Sequence, residues 1–412
     1  MKIVLYTHHS LFEPAVSLAA ALSKSAEVHL LLEVPSGRWQ SANFEAPEDL
    51  VPSGLVEADP VLAAHFPEET RAMWRRAASF HLVVTGTQRA RHPASLRLMF
   101  GVLNWIRTLN PDILHIDDVD VSPRLALALA VTRLPCPVVV GCHDPEPHSG
   151  EQDWRVKSLT RTLLLSRADA VLVHHEAGRA ALRLRHRRLR APVYTVRLAS
   201  YTFLQHGIPS TEITRSAEPA VLLFGRITQY KGLDTLFLAA PIVAHEVPGV
   251  RFLVAGKPAD GYQPPEPPPL PNGGRIETTY GYISNDRTAA LFREAQVVVC
   301  PYTDASQSGV VLTAYAFGRP VVVTDVGGLP EYVRDGVTGL VVPAGDHEAL
   351  AAAVIRCLRE PGLAASLRDG VATANATDLS WRRVGSELTE IYAEVAGRAR
   401  GRGLRSRLGR QR

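Results

Sequence analysis

The chain has 412 residues, of which 46% are hydrophobic and 21% charged, with a formal net charge of +4. That length exceeds one ordinary hydrophobic core and predicts two domains, and the apolar content excludes a disordered chain. Seven arginines and no acid lie in the last sixteen residues, Gly397–Arg412, which leaves the body of the chain net negative and gives no support for nucleic-acid binding.

The first half alternates short apolar strands with helical stretches. The predicted order is a strand over 2–7, a helix over 15–25, a strand over 27–33, a less regular insertion, then a strand over 82–86. A helix over 94–109 and a strand over 112–117 follow, then a helix over 123–133 and a strand over 137–142. A long helical stretch to about Ala168 and a strand over 170–175 complete the half. Strand, helix, strand in this rhythm means a parallel sheet with helices on both faces. Residues 205–217 lose the periodicity and read as a linker.

The rhythm restarts with a strand over 220–225, a helix over 232–247 and a strand over 251–256. A proline-rich loop over 257–274 precedes strands over 297–302 and 320–325. An amphipathic helix begins at a Ser380 cap. The expected fold is therefore α/β: two doubly wound parallel-sheet, Rossmann-like domains facing a cleft, with ligands beyond the carboxyl ends of the strands. The boundaries read as 1–207, joined by the helix 380–396, then 218–379, with 397–412 a basic disordered tail. The four cysteines are scattered without a CxxC pair, as buried free thiols in a reducing compartment would be. "MKIVLY" is too short for a signal-peptide core, and no apolar run approaches the roughly 18 residues that span a bilayer. The expected location is cytoplasmic.

Neither the dinucleotide fingerprint nor the phosphate-loop motif is present. The chemistry clusters in the second half instead. "FGRITQYKGLDTL" places Gly225 and Arg226 just after a strand and Lys231 at the start of a helix, a pair of cations suited to a diphosphate. In "DASQSGVVLTAYAFG", Ser308, Gly309 and Val310 begin a helix whose first backbone N–H groups have no intrahelical acceptor. No acid stands in that turn to compete with an anion. The Gly-Gly turn of "DVGGLPE" carries Glu331 toward the same end. In the first half, Asp118 and Asp120 read as turn residues rather than metal ligands. His8 and His9, and His143, Asp144 and His148, follow strands at the expected cleft mouth.

Taken in order, "GRITQYKGLDTL", "AGK", "YGYISNDRTAALFREAQVVVCPY" and "SGVVLTAYAFGRPVVVTDVGGLPEYVRDGVTGLVVPAGD" resemble glycosyltransferase family 4. The likeness covers most of residues 219–348; the first half fits in general architecture, with "HD" at His143–Asp144 and "ADAVLVHH". The resemblance implies a retaining, metal-independent transferase of the GT-B fold that uses a nucleotide diphosphate sugar as donor and no further cofactor. It implies that Arg226 and Lys231 neutralise the donor diphosphate and that the Ser308–Gly309 amides hold the phosphates. Tyr282 and Ile283 would border the base, and His143 would line the sugar site. The sequence departs from the family where two glutamates commonly stand, at Ala305 and Thr313. Thr313 keeps one hydroxyl there, and Asp304 adjoins the other position. The implied partners are the donor, a hydroxyl acceptor (glycan, lipid-linked or small molecule) and, through the basic tail and "RLRHRRLR" (Arg183 to Arg190), an anionic membrane surface. A nucleotide-sugar epimerase of the same fold and a non-catalytic donor-binding partner are the alternatives.

Overall fold

A computed structural model describes residues 1–36, 39–41, 44–46, 53–86, 89–118, 122–145, 154–206 and 218–408. Asp120, His148 and residues 207–217 of the expected linker lie outside them. The described chain divides into two compact units. The first holds Met1–His174, Arg179–Leu198 and Trp381–Arg412, and the second His175–Gly178 and Ala199–Ser380.

The strands of the first unit are β1 (Lys2–His8), β2 (Glu27–Pro35), β3 (Trp39–Ser41), β4 (Phe44–Ala46), β5 (Gly54–Glu57), β6 (Ser79–Thr85), β7 (Ile113–Ile116), β8 (Val138–Cys142), β9 (Ala170–Val173) and β10 (Val193–Thr195). Eight of them form one sheet in the order β10-β9-β8-β7-β1-β2-β6-β5, while β3 and β4 make a separate hairpin. Every pairing in the large sheet is parallel except that of the edge strand β5 with β6. β5 lies in the irregular insertion, where half-buried Gly54, Leu55 and Val56 give no clean alternation to read. The central strands are buried on both faces: Ile3, Val4, Leu5, Tyr6, Ile113, Leu114 and Ile116 have no exposed surface. Unbroken apolar runs of this kind are what covered parallel sheets require.

The second unit's strands are β11 (Ala220–Phe224), β12 (Arg251–Gly256), β13 (Arg275–Tyr280), β14 (Val297–Cys300), β15 (Val321–Thr324) and β16 (Gly339–Val342), all parallel in the order β13-β12-β11-β14-β15-β16. Its core is built from β11, β12, β14, β15 and β16 with the helices Leu233–Glu246 and His347–Arg359. Residues 199–206 belong to this unit rather than to the first, as the expected boundary at 207 had it. Ser200 N donates to Leu379 O (3.0 Å), and Tyr201 N donates to Leu312 O (3.3 Å). Backbone pairing, which composition does not encode, moves the boundary.

The last helix runs from Trp381 to Leu408, past the expected end at Ala396. Arg398 pairs with Glu394 at i,i+4 (2.5 Å), and Arg400 pairs with Asp112 (2.6 Å), so the first tail arginines extend the helix instead of fraying. Residues 409–412 lie outside the described chain. This helix is seated on the first unit by Tyr392, whose buried hydroxyl lies 2.7 Å from His115 Nδ1. Tyr392→Phe strands that ring nitrogen and should lower stability by about 1–3 kcal/mol. Urea unfolding followed by far-UV circular dichroism measures it; an unchanged midpoint would rule out the anchoring role.

Candidate donor site at the strand ends of the second unit

The residues expected to hold a diphosphate gather at the carboxyl ends of β11 and β14. Gly225 leaves β11 with φ +106°, and a Cβ there would lie 3.4 Å from Val310 Cγ2, so the loop after β11 touches the start of the helix Gly309–Ala316. Arg226 follows, exposed, and makes no hydrogen bond or ion pair among the described residues. Lys231 ends a short turn, Gln229–Lys231. At Gly232 the chain turns with φ +69° against the backbone of Pro301, where a Cβ would sit 1.8 Å from the carbonyl oxygen. Only glycine permits that approach.

Lys231 Nζ lies 3.9 Å from the centre of the Tyr302 ring, a cation–π contact that keeps the charge at the strand ends. The Tyr302 hydroxyl lies 3.3 Å from Ser308 Oγ, and both residues are buried. Ser308 is the N-cap of the helix Gly309–Ala316, yet its side chain makes no capping hydrogen bond. An N-cap serine ordinarily accepts from the second or third helical N–H. Here Tyr302 draws the hydroxyl away, and the first turn contains no acid. The helix start is left with positive N–H groups and no side chain of its own to satisfy them.

The other expected residues fall as follows. Thr313 is buried and donates its hydroxyl to Gly309 O (2.9 Å), so only its oxygen lone pairs remain for a ligand. Asp304 is half-buried in the loop after β14. Tyr282, exposed, and Ile283, buried, follow β13, where Gly281 N donates to Gly256 O (3.1 Å) beside the end of β12. Glu331 does not point at these groups. Its two carboxylate oxygens accept from the backbone N–H of Glu176 (2.8 Å) and of Ala177 (3.0 Å). Tyr302 and the packing of the Gly-Gly turn escaped the sequence reading. Gly328 N donates to Ser306 O (3.0 Å), and a Cβ on Gly327 would lie 1.5 Å from Ala305 O. A tyrosine ending an otherwise aliphatic strand was the available signal.

His143 belongs to the first unit, just after β8, and is 4% exposed. Its Nε2 lies 3.6 Å from Asp117 Oδ1, and its ring centre lies 4.2 Å from that of His174. Burial opposes its charge, but the facing Asp117 carboxylate, with those of Asp118 and Asp144, outweighs it and raises the imidazole to about 9. His115 Nε2 lies 3.9 Å from the same carboxylate oxygen, but burial dominates there and lowers that imidazole to about 4. Asp117, the partner of both, escaped the sequence reading, which weighed its neighbour Asp118 instead. The rings of His8 and His9 lie 3.9 Å apart, tilted by 48°, and burial lowers them to about 3 and about 4. Among the described residues no group of three or more His, Cys, Asp or Glu side chains is arranged to hold a metal ion.

Two parallel-sheet units of this kind, the second with cations and a helix start at its strand ends, define the GT-B class of transferase folds. The chain belongs to glycosyltransferase family 4: residues 15–197 match the model described as Glycosyltransferase Family 4, and residues 218–360 match that of Glycosyl transferases group 1. A relative is the D-inositol 3-phosphate glycosyltransferase of Saccharomonospora viridis, 36% identical over 198 residues, 46% of each chain. The alpha-D-kanosaminyltransferase of Streptomyces kanamyceticus is 29% identical over 43% of this chain and 46% of its own. The chain thus spans about half the length of the curated relatives it matches. Among solved structures, Anabaena HepE in complex with UDP and glucose superposes with a TM-score of 0.64 at 15% identity, over 96% of this chain and all of the other. Sucrose-phosphate synthase from Thermosynechococcus elongatus gives 0.63 at 18% identity, over 96% of this chain and 99% of the other.

The buried His143–Asp117 pair has a pH signature. The folded imidazole titrates near 9, above its ordinary value of 6.5, so its contribution to stability is complete below pH 6.5 and is lost as pH rises through 9. The melting temperature should fall between about pH 6.5 and 9, and His143→Gln should flatten that limb. The acid limb, to which the depressed His115 contributes below pH 6.5, should remain. An alkaline limb of undiminished slope in the variant would show that His143 is not the titrating group.

Proposed function

We propose that this protein is a retaining glycosyltransferase that moves a sugar from a nucleotide diphosphate sugar to an acceptor hydroxyl. The observation that carries the reading is the uncapped start of the helix Gly309–Ala316, with Ser308 diverted to Tyr302 and Lys231 on the same tyrosine. A helix start without its own cap, next to cations, is complementary to a diphosphate. Relatives named as inositol-phosphate and kanosaminyl transferases, and neighbours of the same fold solved with UDP and UDP-glucose, support the same reading.

In the reaction the bond from the sugar's anomeric carbon to the diphosphate oxygen breaks, and a bond to the acceptor oxygen forms on the same face. The acceptor proton passes to the departing phosphate oxygen. Negative charge accumulates on the diphosphate in the transition state. Arg226, Lys231 and the amides after Ser308 stabilise it where it develops. Those fixed positive groups do the work that a bound cation does elsewhere, so the reaction needs no metal. Tyr282 and Ile283 border the base, and His143, held as a cation by Asp117, donates to a sugar hydroxyl. The acceptor belongs to a cell-surface glycan, a lipid-linked saccharide or a small polyol. The enzyme works in the cytoplasm, at the inner membrane face when the acceptor is lipid-linked. No helix among the described residues is long and apolar enough to cross a membrane.

The test is a panel of labelled UDP-, GDP- and dTDP-sugars, scored for acceptor-dependent nucleotide release. Arg226→Ala and Lys231→Ala should each lose about 2–4 kcal/mol of transition-state stabilisation, the scale for one preorganised donor. Folding should change little, since Arg226 is exposed and Lys231 only half-buried. Full turnover in both variants would sink the assignment.

A further inference from the structure

The basic run after the helix Glu176–Arg185 plays no part in the donor site. With the last turns of the helix Trp154–Arg167 it lines a concavity of about 720 Å³ on the first unit. That is within the roughly 300–1,000 Å³ typical of small-ligand sites. Arg185, Arg187, Arg188 and Arg190 line it, and no acid among the described residues does. None of these four side chains makes a hydrogen bond or ion pair among the described residues. Arg251, Arg383 and Arg400, by contrast, are spent on carboxylates.

An ordinary structural role covers little of this charge. Each helix C-terminus carries roughly half a negative charge. Arg167, Arg183 and Arg185 stand in those last turns. Arg183 also holds the turn through Leu189 O (3.5 Å). Two helix ends cannot offset four lining guanidiniums, three of which lie beyond the helix, and the concavity stays strongly positive. Its other lining is largely apolar, including Leu165, Leu184 and Leu189. Leu184 is 65% exposed, and so is Leu159, at 59%. Leu159 lies on the helix face of Thr162 and Ser166, which line the same concavity. Exposed leucines beside unpaired arginines are the pattern of a surface that meets lipid: long cationic side chains reach the phosphates while apolar ones enter the acyl boundary.

We propose that this concavity binds the phosphodiester headgroup of an anionic phospholipid and so docks the first unit on a membrane. Arginine suits the site because its fork presents paired donors to phosphate oxygens. A free phosphate would use the guanidiniums and have no use for Leu159 and Leu184. The proposal is independent of the donor chemistry.

The test is flotation of the full chain with vesicles of phosphatidylglycerol and phosphatidylcholine, against vesicles of phosphatidylcholine alone. The chain should float with the anionic vesicles only, and added salt should weaken the binding. Replacing all four arginines by glutamine should lower binding at least tenfold, and the pair Arg187→Gln and Arg188→Gln by less. Leu184→Ser should weaken vesicle binding as well. Nucleotide release from the donor should be unchanged in each variant, which separates this site from the donor site and reports folding. Four outcomes overturn the proposal. The parent does not float; the four-arginine variant floats as the parent does; binding is lost only when the chain is ended at Ala396, which places the contact in the tail; or inorganic phosphate at millimolar concentration abolishes flotation, which marks a free-phosphate site.

Discussion

A buried phenol sets the chemistry of the second unit's strand ends. Tyr302 is 1% exposed, and its carbonyl accepts from Thr324 Oγ1 at 2.6 Å, which ties the ends of β14 and β15 together. Its ring carries Lys231, and its hydroxyl meets Ser308 Oγ. The two contacts have opposite effects on neighbouring charges. One holds a cation in place, and the other takes from a helix the cap that would have muted its positive end. A phenylalanine would keep the first and lose the second, returning the serine to the helix amides. The ring and the hydroxyl together make the region receptive to anions without burying an unpaired charge.

The two units handle charge differently, and burial explains why. In the first, Asp117 is nearly inaccessible, and an isolated carboxylate there would cost far more than the protein's net stability. His143 and His115 approach it from two sides; one imidazole stays charged and the other neutral, because a single carboxylate stabilises a single cation well. In the second unit Arg226 stays exposed, where its charge costs little to maintain. A compensated, buried cluster suits positioning; an exposed cation suits binding of a ligand that brings its own charge.

Much of this was legible in the sequence. Unbroken apolar runs of four to seven residues marked most strands, because a covered parallel sheet leaves little room for polar side chains. The placement of Arg226, Lys231 and the helix start at the strand ends was legible as well, since in such sheets those loops follow the strands directly. What stayed hidden depends on contacts distant in sequence. The edge strand β5 is defined by its partner β6, not by its own pattern. Glu331 looked like a ligand-facing acid because only the folded chain shows its oxygens occupied by Glu176 N and Ala177 N. The tail looked disordered because composition alone cannot register that Arg400 finds Asp112.

The two positions without the family's glutamates follow the same logic. Ala305 is 6% exposed, and its carbonyl is held against Gly327, whose φ of +53° brings the turn within reach of it. A carboxylate with the side-chain burial of Ala305 would need a cationic partner to offset its desolvation. Thr313, 7% exposed, spends its proton on the carbonyl of Gly309 within its own helix. Neither position therefore adds negative charge beside Ser308 to oppose Arg226, Lys231 and the helix start. On the function proposed above, a diphosphate would meet less opposing charge at these two positions, and the donor's hydroxyls would fall to neutral groups and to Asp304.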